Sequence, residues 1–90
     1  MPSLSIKVDH SVGLHARPAA EFVKLASGFS CDIQIKNDST ESKFVNAKSI
    51  LGVLTLGVNQ GHTILINAEG EQADEALEAI KQLVENNFGE

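Results

Sequence analysis

Three observations predict an α+β open-faced β-sandwich of order β-α-β-β-α-β-α: apolar residues alternate with a period of two in separate short stretches, recur at three- and four-residue steps between them, and leave each helical stretch with one main apolar face. The economical way to bury such faces places the helices on one side of a four-stranded, mostly antiparallel sheet. The 90 residues fit one domain spanning 1–90, and no internal repeat or low-complexity linker divides them.

Each element follows from its local pattern. Leu4, Ile6 and Val8 alternate with Ser5, Lys7 and Asp9, as in a strand with one buried face. After HSVG the period changes, and from Ala16 onward Ala19, Phe22, Val23 and Ala26 mark the first helix, with Gly28 as its stop. Cys31, Ile33 and Ile35 alternate again as a second strand, NDSTES forms a polar turn, and a short third strand is expected around Lys43 to Val45. KSILGVLTLGV reads as a short helix followed by an apolar connection, NQG at 59–61 as a turn, and Ile64 and Ile66 as the fourth strand. The closing helix is the clearest element. Ala73, Ala76, Leu77, Ile80, Leu83 and Val84 form one stripe, and Glu71, Asp74 and Glu75 lie near its start, where the helix dipole favours negative charge.

Composition excludes several classes of function. Hydrophobic residues make up 42% and charged residues 21%, ordinary for a globular chain and unlike a disordered one. The single Cys31 has no partner for an internal disulfide, the opening residues contain no secretory apolar core, and no apolar run approaches the roughly 20 residues that cross a bilayer. A cytoplasmic protein without a membrane partner is expected. The net charge of −5 argues against a nucleic-acid partner, yet it is unevenly placed. Residues 1–48 carry six Lys/Arg against five Asp/Glu (+1), whereas residues 49–90 carry one against seven (−6), so the first half can face an acidic partner.

The stretch with chemical content is GLHARPAA at 13–20. With His15 as N-cap, the unpaired N–H groups and positive dipole end of the first helical turn would face whatever the ring carries, a setting suited to an anion. Pro18 is tolerated in that turn, where no N–H is needed, and stiffens it. Arg17 adds a permanent cation with several donors for phosphate oxygens, and a neutral imidazole keeps its lone pair available for attack. Together these features describe a phosphohistidine site. By itself, a His-x-Arg-Pro sequence is more often a surface loop, and histidine is a mediocre N-cap.

A second segment, VNAKSILGVLTLG at 45–57, shifts the balance. With GLHARPAA and the element order, it makes nearly the whole chain resemble the HPr family of histidine-containing phosphocarrier proteins of the bacterial phosphoenolpyruvate:sugar phosphotransferase system. The resemblance implies that His15 accepts a phosphoryl group on its δ1 nitrogen from phosphorylated Enzyme I and passes it to the A domain of a sugar-specific Enzyme II, with Arg17 as the phosphate-side cation. It further implies that Ser49 is the position modified by a regulatory serine kinase/phosphorylase. Partner docking would fall to Ala16, Ala20, Lys24, Ile50, Leu51 and Leu54. The carrier would be a monomer, would need no cofactor and would not be an enzyme with a turnover of its own. The chain departs from the family in a longer NDSTESKF turn, in Leu51 and Leu54 where methionines are common, and in His62, which belongs to no family motif.

Other chemistries fit less well. His10, His15 and His62 lack the spacing of a metal site, no G-x-S-x-G segment supports a hydrolase triad, and Cys31 reads as a small core residue. Lys24 and Lys48 are ordinarily solvated charges, though either could border the docking face, and Ser49 also suits the N-cap of the helix that follows it. Ile50, Leu51, Val53 and Leu54 span too wide an arc for all to face one sheet, so part of the short helix is expected to form an exposed apolar patch. Two alternatives share the pattern: a carrier of the nitrogen-related regulatory branch, and a non-phosphorylated regulatory binding module. KSILG favours the sugar branch over the first, and the presence of His15 argues against the second.

Overall fold

A computed structural model of the chain describes residues 2–9, 16–40, 42–86 and 88. The strands are β1 (Ser3–Lys7), β2 (Asp32–Asn37), β3 (Val45–Asn46) and β4 (Thr63–Glu69), and the helices are α1 (Ala16–Ser27), α2 (Ile50–Thr55) and α3 (Ala73–Glu85). They form the α+β order expected from the sequence. The sheet runs β1-β4-β2-β3, and its three described pairings are all antiparallel.

Register turns the period-two pattern into two unlike faces. Leu4 pairs with Ile66, which pairs with Ile35, which pairs with Val45, giving an apolar row across all four strands. One step away, Ser3, Asn67, Gln34 and Asn46 form the corresponding row on the opposite, polar face. The helices supply the remaining apolar surface: α3 packs on β1 and β4, and α1 packs against both α2 and α3. Phe22, Ile33, Ile35, Ile64, Ile66, Ile80 and Val53 are fully or almost fully buried in the shared core.

Two boundaries differ from expectation. The third strand covers Val45–Asn46 and excludes Lys43. The Ser42 hydroxyl accepts from Asn37 N at 2.8 Å and donates to Asn37 O at 3.2 Å, so it occupies main-chain groups that a longer β3 would have paired. Lys43 and Phe44 are left outside the ladder, where the Lys36 ammonium lies 5.3 Å from the centre of the Phe44 ring. The second difference is Asn37, expected in the polar turn. It is the last residue of β2 and is fully buried, continuing the inward sequence of Ile33 and Ile35.

The start of α3 is fixed from outside the helix. Gly70 has φ 115° and Gln72 has φ 67°, which lets the chain turn sharply from β4 into α3. Gln72 makes no side-chain cap bond; its Oε1 instead accepts from Ser30 N at 3.4 Å and Ser30 Oγ at 3.2 Å, tying this turn to the α1–β2 connection.

Candidate functional site

The helix that follows the histidine motif is amphipathic in a way that separates its roles. Ala19, Phe22 and Ala26 are buried, whereas Arg17, Ala20, Glu21 and Lys24 recur at three- and four-residue steps on the exposed side. α1 begins at Ala16, so its unpaired first-turn amides come directly after His15 in the chain. Pro18, within that turn, is buried and withholds no hydrogen bond that the helix needs. His15 and His10 lie outside the described residues, as does the Ala16 side chain.

The second motif forms a short helix with an anchored start. Ser49 is the N-cap of α2, and its hydroxyl accepts from Gly52 N at 3.2 Å. The preceding turn is held by Asn46, whose Oδ1 accepts from Lys48 N at 2.9 Å and whose carbonyl accepts from Ser49 N at 3.0 Å. Lys48 Nζ reaches across to donate to Phe29 O at 2.7 Å. That bond ties the segment just after α1 to the entrance of α2, a task that the expectation of a solvated Lys48 missed. Its acceptor is a main-chain carbonyl in a different element, so residue type and spacing gave no signal for it.

α2 divides its apolar residues between core and surface. Val53 is 0% exposed, whereas Ile50 is 37%, Leu51 74% and Leu54 37% exposed. Because α1 packs against α2, this apolar surface and the exposed Arg17, Ala20 and Lys24 belong to neighbouring helices. With Arg17 and Lys24 against one acidic residue, Glu21, the exposed face of α1 carries a net positive charge beside this apolar surface, a combination that suits a partner that is acidic around an apolar contact. Among the described residues, no group of three or more His, Cys, Asp or Glu side chains is arranged to hold a metal ion. Nor is any described helix long and apolar enough to cross a membrane.

The profile of the family described as "PTS HPr component phosphorylation site" matches residues 3–86. The chain belongs to the HPr family. It is 39% identical over 90 residues to the phosphocarrier protein HPr of Pseudomonas aeruginosa, covering 100% of this chain and 98% of that one. A multiphosphoryl transfer protein of Haemophilus influenzae is 40% identical over 88 residues, which amount to 98% of this chain and 17% of the longer protein. A crystal structure of HPr-C-His from Thermoanaerobacter tengcongensis superposes with a TM-score of 0.92 at 46% identity, covering 100% of this chain and 98% of that one. The chain is thus a phosphocarrier of the phosphotransferase system.

Proposed function

We propose that His15 receives a phosphoryl group from phosphorylated Enzyme I and delivers it to the A domain of a sugar-specific Enzyme II. In the first transfer the His15 Nδ1 lone pair forms a bond to phosphorus while the donor's bond to phosphorus breaks, its electron pair leaving with the donor. In the second the new N–P bond breaks in the same sense as the acceptor attacks. Such transfers rely on positioning and charge stabilisation, so a ring at a helix entrance with one guanidinium nearby is sufficient equipment when partners supply the rest.

The observation that carries this proposal is the start of α1 at Ala16, with exposed Arg17 in its first turn, on a helix that packs against the exposed apolar α2. Arg17 binds the phosphoryl oxygens, and Ala16, Ala20, Lys24, Ile50, Leu51 and Leu54 contact the partners. Ser49 acts as a brake. A phosphate there adds roughly −1.5 to −2 charge at the edge of the apolar surface, imposing desolvation and repelling an acidic partner. The carrier works as a cytoplasmic monomer without a cofactor.

Incubation with Enzyme I and phosphoenolpyruvate, followed by mass analysis and mapping, tests the proposal. One acid-labile phosphoryl group at His15 is the expected product, and a His15→Ala protein labelled to the same extent would overturn it. Arg17→Ala should slow transfer with the thermal melt unchanged, and Arg17→Lys should recover part of the loss, because a point charge cannot reproduce the guanidinium fork.

A further inference from the structure

His62, which lies outside GLHARPAA and VNAKSILGVLTLG, completes a hydrogen-bond network that joins three parts of the fold. Its Nδ1 lies 3.0 Å from Asn37 Nδ2 and 3.1 Å from Asn59 N. The direction of both bonds is fixed by the surroundings. Asn37 Oδ1 accepts from Ser39 N at 3.0 Å, so the other amide atom is the NH2, which also donates to Leu56 O at 3.3 Å. The Asn59 main-chain N–H can only donate. Nδ1 therefore accepts from two donors, which requires a bare lone pair there and the neutral ring's proton on Nε2.

We propose that His62 is an acid-sensitive latch that holds the connection after α2 in place only while its ring is neutral. Protonation turns Nδ1 into a third donor facing the Asn37 amide and the Asn59 N–H, so the contact changes from attraction to opposition. The partly exposed ring can turn towards water, but Asn37 is 0% exposed and cannot follow it. The Asn37 Nδ2 keeps Leu56 O and loses its second partner, and Asn59 N loses the ring as an acceptor.

The main chain gives this local event a wider reach. His62 O accepts from Val8 N at 2.8 Å, His62 N donates to Asn59 O at 3.0 Å, and Gly61 N donates to Val8 O at 2.7 Å. The latch thus joins the end of β2, the connection from α2 to β4, and the residue that follows β1. Among the described residues, the charged groups on the packed elements are Lys7 with Asp9, 3.8 Å apart, Lys36 with Asp38, 3.6 Å apart, exposed Lys43 beyond the β2 turn, and Asp32 and Glu69, which face each other at the far end of the β2–β4 pairing. Each Lys–Asp pair is internally neutral, and α2 contributes no charged residue.

The test uses the full chain and needs no phosphotransferase partner, so it stands apart from the proposed function. His62→Asn keeps a side-chain acceptor near the Nδ1 position and does not titrate, whereas His62→Ala removes the acceptor at every pH. At pH 8, nitrogen NMR should show the His62 proton on Nε2. As pH falls to 5, hydrogen exchange at Asn59 should accelerate in the wild type relative to His62→Asn by about tenfold, the scale expected for loss of one hydrogen bond. The Asn37 side-chain signals should move with the His62 midpoint, and His62→Ala should show fast exchange throughout. The ratio between proteins cancels the intrinsic pH dependence of exchange and the titration of His10 and His15. A wild-type ring protonated on Nδ1 at pH 8, or a wild-type to His62→Asn ratio that stays constant with pH, would overturn the latch even if His62→Ala failed to fold.

Discussion

Helices α2 and α3 follow β3 and β4 of one sheet, yet they use their apolar residues in opposite ways. α3 extends over 13 residues, buries Ala73, Ala76, Leu77, Ile80 and Val84, and exposes Asp74, Glu75, Glu78, Lys81 and Glu85. α2 has six residues, buries Val53, and leaves Ile50, Leu51 and Leu54 at the surface. Exposed apolar area of this kind suits a protein contact, whereas an acidic outer face keeps α3 in water. The longer helix builds the fold and the shorter one presents a surface, so equivalent substitutions should separate stability from transfer.

The largest stability effect is expected in α3. Ile80→Ala removes a fully buried side chain and should cost about 2 to 5 kcal/mol in urea denaturation, with little change in transfer per folded molecule. A loss below about 1 kcal/mol would mean that the α3 face collapses around the change and that the contrast with α2 is shallow. Lys48→Met comes next, at about 1 kcal/mol, because it removes the bond to Phe29 O but keeps much of the side chain's apolar stem. A melt indistinguishable from wild type would show that this bridge contributes nothing to the joining of α1 and α2.

Ser49→Ala should cost about 0.5 to 1 kcal/mol, the low end for an N-cap, since α2 is short. Ser49→Asp keeps a good capping group and adds charge, so it should retain the melt while lowering the rate of His15 phosphorylation. Equal rates for Ser49→Asp and wild type would remove the brake. The smallest stability effect belongs to Leu51→Ser, expected within about 0.5 kcal/mol of wild type because the side chain is 74% exposed. Its phosphorylation by Enzyme I should nonetheless slow. An unchanged rate at subsaturating carrier concentration would take Leu51 out of the docking surface.

Sequence patterns revealed most where one residue type had one task. The alternation in β1, β2 and β4 and the stripe of α3 each answer to a single buried face, so periodicity located them. The width of the apolar arc at 50–54 similarly anticipated exposure in α2. Pattern failed where a side chain replaced a main-chain partner, as Ser42 does beside Asn37, because a hydroxyl two positions from a turn looks like any loop serine. It also failed for Asn37 and His62, 25 residues apart, whose roles depend on atoms that only the folded chain brings within 3.0 Å. At the site, Lys24 could be read as a solvated charge from its residue type and Ser49 as a cap from its place before the short helix; the bond from Lys48 to Phe29 could not be read.

The position of β4 has a further consequence for how the chain acquires its shape. β4 lies between β1 and β2 and pairs with both, although it is the last strand in the sequence. During synthesis β1 emerges first and must wait for residues 63–69 before it has a neighbour, while β2 has only the two-residue β3 beside it. Closing the sheet therefore depends on contacts between distant parts of the chain, whose loop-closure entropy is met late and slows folding. A ribosome-bound chain that ends before Thr63 holds most of the fold's apolar residues but lacks the strand that would sort them into a sheet.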